Sequence, residues 1–248
     1  MARAAALPRL TWLPATISDV RRESATATTL RLDVDDWPGH VPGQHVDLRL
    51  TAPDGYSAVR PYSLASAGGS GTVEITVDTT PGGEVSTYLT QGARPGHHLE
   101  IRGPLGKWFV WDTSDTEPVQ LIGGGSGIVP LMSMLRTHDA QQHPAQMRLL
   151  YSLPSAVHML YRPELASLHA EGTVTFLYTR QPTAASTRPP GRITADDLRQ
   201  HAINPDLKPS AFVCGPTGFV ETVLTLLVGF GYDPERIRAE RYGEGSST

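Results

Sequence analysis

The sequence predicts two domains: an antiparallel β-domain, then a doubly wound α/β domain with a parallel sheet. Three observations carry this. From Ala15 to Val110, short strand-like runs are separated by Gly- and Pro-rich turns. The polar stretch Asp112-Thr113-Ser114-Asp115-Thr116-Glu117 then breaks the pattern. Beyond it, apolar strands alternate with helical segments, the spacing of parallel strands joined by crossover helices. The domains are expected over 1–112 and 118–248.

In the first half, strands are read at Ala15–Val20, Thr29–Val34, His45–Leu50, Tyr62–Ser66, Thr72–Val77 and His98–Arg102. Turn signals lie between them: Trp37-Pro38-Gly39, Pro53-Asp54-Gly55, Gly68-Gly69-Ser70-Gly71 and Pro81-Gly82-Gly83. Gly supplies positive φ and Pro presets its own, so such clusters end strands. A small barrel or sandwich is the expected outcome. One helical segment, Glu84–Thr90, interrupts it.

In the second half, strands are read at Val119–Ile122, Met147–Tyr151, Thr173–Tyr178, Ala211–Cys214 and Ile237–Arg241. Helices are read at Ile128–Leu135, Arg162–His169, Ala195–Gln200 and Phe219–Phe230.

Composition narrows the function classes. The 248 residues carry a formal net charge of -4 and no long basic run, which argues against nucleic acid as a partner. The arginines are scattered and read as a solvated surface. The single cysteine, Cys214, excludes a disulfide framework, a four-cysteine iron–sulfur cluster and a Cys-rich zinc site within this sequence. The nine histidines, His97-His98 among them, show no ligand spacing with a supporting carboxylate; they read as surface residues, and no metal is expected. Met1 to Leu13 is too short and too interrupted by Pro8 and Arg9 for a signal peptide. The longest apolar candidate, Val223–Phe230, is under half of a membrane span. A cytoplasmic protein is the expectation.

Four motifs suit a nucleotide-type ligand. Arg60-Pro61-Tyr62-Ser63-Leu64-Ala65-Ser66 puts a cation, a flat aromatic ring and a small hydroxyl on one short segment. Alternation sends Arg60, Tyr62 and Leu64 to one side and Pro61, Ser63 and Ala65 to the other. Arg bridges a pyrophosphate with paired hydrogen bonds, a Tyr ring stacks on a planar heterocycle, and Ser donates or accepts. Pro81-Gly82-Gly83-Glu84-Val85-Ser86-Thr87 opens the one helix of the first half, where free N–H groups favour phosphate.

Ile122-Gly123-Gly124-Gly125-Ser126-Gly127-Ile128-Val129-Pro130 joins the first strand of the second half to its helix. It fits neither G-x-G-x-x-G nor a P-loop, but its glycines let a backbone approach phosphate closely. The same run could serve tight strand–helix packing alone. Cys214-Gly215-Pro216-Thr217-Gly218 ends a later strand, at the carboxyl edge where doubly wound sheets hold ligands. A lone cysteine there is also an ordinary core residue.

Taken in order with Gly103-Pro104-Leu105-Gly106 and a closing Glu240-Arg241-Tyr242, these motifs resemble the ferredoxin–NADP reductase superfamily. The resemblance is to the branch that also supplies reductase modules to bacterial oxygenases, and it runs from Thr16 to Gly243. It implies a six-stranded Greek-key FAD-binding barrel, followed by a domain for NADPH or NADH. By motif match, Tyr62 stacks on the flavin and Ser63 bonds near its N5. Arg60 holds the flavin pyrophosphate, with Pro61 beside it and the stretch Gly82, Gly83, Val85 and Ser86 opposite. Thr76, Val77 and Asp78 border the flavin by backbone contacts. Gly124, Gly125, Ser126, Gly127 and Ile128 take the nicotinamide nucleotide's pyrophosphate. Cys214, with Gly215 and Pro216, lies by the hydride-donating carbon, and Glu240 and Tyr242 come near the other flavin face. Ser63, Cys214 and Glu240 are the implied catalytic residues.

The sequence departs from that pattern in three places. Asp78-Thr79 stands where many relatives carry a basic pair. The [2Fe–2S] domain fused in oxygenase relatives is not expected with a single cysteine, so electrons are expected to leave the flavin directly. A tail, Gly243 to Thr248, follows Tyr242 and is expected to be flexible. Thr179-Arg180 after the third strand, with Arg192 as a second cation, suits a 2′-phosphate and tilts the choice to NADPH over NADH. The expected function is an NAD(P)H-dependent reductase serving a separate ferredoxin, flavodoxin, haem or molybdenum protein. A flavin reductase or diaphorase with diffusible acceptors, or a non-autonomous electron-relay subunit, are the alternatives.

Overall fold

The computed structural model describes residues 11–69, 71–184 and 186–242. The stretch before Thr11, Ser70 of the second-half turn cluster in the first domain, Ala185 and the tail after Tyr242 lie outside the described residues.

The first domain has six strands: β1 (Leu13–Arg22), β2 (Ala27–Val34), β3 (His45–Thr51), β4 (Ser57–Ser63), β5 (Val73–Asp78) and β6 (His98–Leu105). All pairings are antiparallel, in the order β4-β3-β6-β1-β2-β5. β6 inserts between β1 and β3, which is the Greek-key return. Alternation decides which face is inside: Ala15, Ile17, Leu99 and Ile101 are buried, while Arg49–Glu100 and Arg102–Asp47 pair on the outside. The remaining junction, β4 to β5, is closed only past the end of β4. Leu64 bridges Ile75, and the amide of Ala65 donates to the carbonyl of Glu74 at 2.7 Å.

The Arg60–Ser66 run therefore differs from its expectation. β4 starts at Ser57 and stops at Ser63, because Leu64 and Ala65 turn inward and are fully buried. The register sets Arg60 opposite Leu48 and Tyr62 opposite Val46, so Arg60 and Tyr62 do share a face. The helical segment is also shorter as an α-helix: α1 covers Glu84–Thr87, and Tyr88–Gly92 continues as a wider π turn.

The second domain is a five-stranded parallel sheet of β7 (Val119–Gly124), β8 (Met147–Ser155), β9 (Val174–Gln181), β10 (Ser210–Pro216) and β11 (Ile237–Tyr242). Its order is β11-β10-β7-β8-β9, so the winding reverses between β7 and β10. Every residue of β7 is buried, as both faces are covered. Helices α2 (Ile128–Ala140) and α3 (Arg162–Ala170) cover one face; α4 (Ala195–His201) and α5 (Thr217–Phe230) cover the other. β10 feeds both cores by alternation: Phe212 and Cys214 to the first, Ala211 and Val213 to the second. No helix among the described residues is long and apolar enough to cross a membrane.

The two domains share a partly polar interface. Ala27 and Ala65 of the barrel join the apolar cluster under α2. Two expectations are corrected here. Arg136 is not a solvated surface residue: it donates to the Ala65 carbonyl at 2.8 Å, to Glu74 at 3.0 Å, and with a two-pronged contact to Glu164. His40 is not on the surface either; it is buried, with Nε2 3.1 Å from the Ser66 carbonyl oxygen.

Candidate active site

Three groups of the expected residues come together, each for a local reason. The first is a groove of about 380 Å³ between β4 and the start of α1. Arg60, Pro61 and Tyr62 form one wall; Gly82, Gly83, Val85 and Ser86 form the other. Gly82 makes the turn at φ +74°, and the Ser86 hydroxyl ties it down, accepting from the Thr80 amide and donating to the Gly83 carbonyl. Ser86 is thus occupied in holding the turn, and the first-turn amides of α1 are left facing the groove without helical partners. Arg60 has no carboxylate partner among the described residues; it donates only to the neighbouring Val59 carbonyl. Burial pushes the Tyr62 hydroxyl up to about 12, with Arg60 opposing, so the ring is neutral near pH 7.

The second group sits at the switch point of the parallel sheet. The Gly-rich turn leaves β7 and enters α2 through Gly125–Gly127. A Cβ on Gly127 would lie 2.2 Å from the Cys214 carbonyl oxygen, so only glycine lets the start of α2 approach the end of β10. Cys214 is buried and sits in register with Gly123 on one side and Glu240 on the other. Burial, with the Glu240 carboxylate beside it, holds the Cys214 thiol well above its ordinary range. The Glu240 carboxyl is raised by burial to about 7, and its Oε2 has no hydrogen-bond partner among the described residues. Tyr242 reaches back over the turn: its hydroxyl donates to the Gly124 carbonyl at 2.6 Å and accepts from the Gly127 amide at 3.2 Å. Burial raises the Tyr242 hydroxyl to about 12, with smaller contributions from Cys214 and from the Asp78 carboxylate at the end of β5. Strand β5 of the barrel lies against the Gly-rich turn that Tyr242 bonds.

The third group is a groove of about 510 Å³ past the ends of β8 to β10. It is lined by Thr179, Arg180, Arg192 and Pro216, together with Ser152 and Phe219. Arg188 shapes it from outside, pairing with Asp197 and donating to the Arg192 carbonyl at 2.7 Å.

The side chains of the other expected residues are placed as follows. The Thr76 hydroxyl is used at the domain interface, bonding Tyr161 at 2.5 Å and Thr29 at 2.7 Å, and Val77 belongs to the barrel core. Ser63 lies opposite His45 on the other face of β4 from Tyr62. Gly215 and Ile128 are backbone elements of the strand end and helix start around Cys214. Sequence reasoning missed Arg136, Tyr161 and Arg188. Their partners are distant in sequence or lie in a loop, and only Tyr161, with φ +52°, has an unusual backbone.

Comparison with known proteins agrees with this geometry. Residues 14–110 match an oxidoreductase FAD-binding domain and residues 121–225 an oxidoreductase NAD-binding domain. A flavohemoprotein of Bacillus subtilis is 30% identical over 241 residues, covering 93% of this chain and 59% of the relative. An NADPH oxidoreductase of Mycobacterium tuberculosis is 30% identical over 237 residues, covering 91% and 59%. The chain thus spans about three-fifths of the length of these relatives. Among solved structures, the FAD/NAD-binding domain of a Vibrio cholerae nitric oxide dioxygenase superposes with a TM-score of 0.79 at 26% identity, covering 93% of this chain and 98% of that one.

Fold and site define an oxidoreductase that joins an FAD-binding barrel to a nicotinamide-nucleotide domain. The chain belongs to the ferredoxin–NADP reductase superfamily, and FAD and a nicotinamide nucleotide are its cofactors. The residues present fit both. An unpaired guanidinium faces helix-start amides across one groove, and a glycine-only approach backs the other site.

Proposed function

We propose that the chain is an NAD(P)H-dependent reductase that passes electrons from its flavin to a separate acceptor protein. The observation that carries this reading is the convergence of Cys214, Glu240, Tyr242 and the Gly-rich turn at the switch point, with β5 of the barrel lying against that turn. When bound, the flavin accepts hydride from the nicotinamide and releases electrons onward.

The chain's own part is mainly geometric. Arg60 and the amides at the start of α1 bind the flavin pyrophosphate. Tyr62 supports the ring as a neutral phenol, and the Ser63 hydroxyl bonds its edge. The amides of Gly124 to Gly127 receive the second pyrophosphate once the Tyr242 hydroxyl withdraws. Cys214 stays a thiol and packs against the reacting ring without charge. The Glu240 carboxyl, held near neutrality, gains or loses a proton beside it.

Thr179, Arg180 and Arg192 in one groove favour NADPH, because two guanidinium groups suit a 2′-phosphate. The relatives' names join flavin to haem, which supports a haem protein as the acceptor, ahead of a ferredoxin, flavodoxin or molybdenum protein.

Anaerobic titration with NADPH and NADH, followed by flavin bleaching, tests the reading. Bleaching is expected with both and at lower concentration with NADPH. No bleaching with either nucleotide overturns it. Loss of the flavin on gel filtration would favour a free-flavin reductase instead.

A further inference from the structure

We infer that helix α2 is a ruler between the two cofactor sites, and that Arg136 and Thr137 are positioning residues for hydride transfer. The inference rests on the reductase reading above. α2 begins at the Gly-rich turn, so its N-terminus carries the nucleotide site. Two turns further on, Ser133, Arg136 and Thr137 lie on one face by their i, i+3, i+4 spacing.

That face grips the backbone of 65–68, the segment that continues the Arg60–Ser63 run. Ser133 donates to the Ser66 carbonyl at 2.6 Å, and Thr137 accepts from the Gly68 amide at 2.7 Å. Arg136 donates to the Ala65 carbonyl at 2.8 Å. The neighbouring Leu131, Met132, Met134 and Leu135 of the helix are buried in the apolar cluster. Apolar contacts are non-directional and let a helix slide, whereas buried bonds to fixed carbonyls hold one register.

A second tie runs parallel to the first. Tyr161, just ahead of α3, bonds Thr76 through its hydroxyl, and its amide donates to Glu23 at 2.9 Å. Glu23 in turn accepts from Thr29 and Arg21. The Arg136 guanidinium lies 5.0 Å from the Tyr161 ring, so the two ties touch. From Gly127 to Arg136 the helix spans about 13 Å, a length fixed by its own geometry. A rigid rod held at both ends sets the approach of nicotinamide to flavin, and hydride transfer is steep in that approach.

The test compares Arg136→Ala, Thr137→Val and Thr137→Ser with wild type. Three quantities are read: the single-turnover rate of flavin reduction at saturating NADPH, the dissociation constants for NADPH and FAD, and amide exchange at Gly68 in the nucleotide-free protein. Arg136→Ala and Thr137→Val are expected to slow reduction by about tenfold or more. Their dissociation constants should stay within about threefold, the signature of an interaction felt at the reaction rather than in binding. Gly68 should exchange faster in Thr137→Val, and Thr137→Ser should restore both rate and protection. A wild-type rate in folded Thr137→Val, or a rate loss matched by lost affinity, overturns the ruler. If Arg136→Ala does not fold, the Thr137 pair decides. A wild-type protein that no nucleotide bleaches would instead overturn the reductase reading itself.

Discussion

The Tyr242 hydroxyl lies 2.6 Å from the carbonyl oxygen of Gly124, inside the turn that leaves β7. It also takes the Gly127 amide, one of the donors a dinucleotide pyrophosphate needs. In the proposed binding mode the closing tyrosine and the nucleotide would compete for the same backbone group.

Removing that competition should tighten nucleotide binding. Tyr242→Phe keeps the ring and loses two neutral hydrogen bonds, each worth about 1 kcal/mol net. NADPH affinity is expected to rise about fivefold or more, measured by isothermal titration. An unchanged or weaker affinity would show that the hydroxyl leaves at no cost.

Cys214→Ala should separate rate from affinity. The thiol is uncharged and buried, so in the proposed role its contribution is shape against the reacting ring. Flavin reduction in stopped flow should slow more than NADPH binding weakens. An unchanged reduction rate would remove Cys214 from the site.

Glu240 sets a pH dependence of stability. Its folded-state value is raised from 4.5 to about 7, so the folded protein holds a proton that the unfolded chain has released. Stability from this group is therefore full below pH 4.5 and is lost as pH rises to 7. Glu240→Gln cannot ionise. Its melting temperature relative to wild type should increase between pH 5 and pH 8, as followed by circular dichroism. A pH-independent difference would refute the assignment.

Arg60→Ala should release the flavin. A charge-assisted bond contributes about 1.5–3 kcal/mol, so FAD should bind roughly ten- to a hundredfold more weakly. Arg60→Lys should fall between, since an ammonium cannot fork onto two phosphate oxygens. Flavin absorbance retained after dialysis reads the outcome, and full retention in Arg60→Ala would exclude the role.

Much of this architecture was legible in the sequence because its signals are local. Turn residues such as Pro81-Gly82-Gly83 and the Gly-rich run at Gly123–Gly127 need only their own backbone to be recognised. The edge strand was misplaced because Ser57, Val59, Arg60 and Pro61 are all exposed and give no alternation. The polar ties were invisible for a different reason. Arg136 and Glu74 are 62 residues apart, and nothing near either one marks it as half of a pair. A scattered arginine reads as surface until the chain topology brings its acid to it. The same holds for His40, whose partner Ser66 is 26 residues away.

The short junction between Leu64–Ala65 and Glu74–Ile75 bears on how far this protein is modular. One guanidinium nitrogen of Arg136 reaches both sides of that seam, the Ala65 carbonyl and the Glu74 carboxylate. The barrel's last junction is thus stapled by a side chain from the other domain. A chimera that exchanged the nucleotide domain for one without an arginine at this helical turn would inherit a seam held by the barrel's own few bonds alone. Interchange of the two halves among relatives is constrained by this one staple as well as by the surfaces that touch.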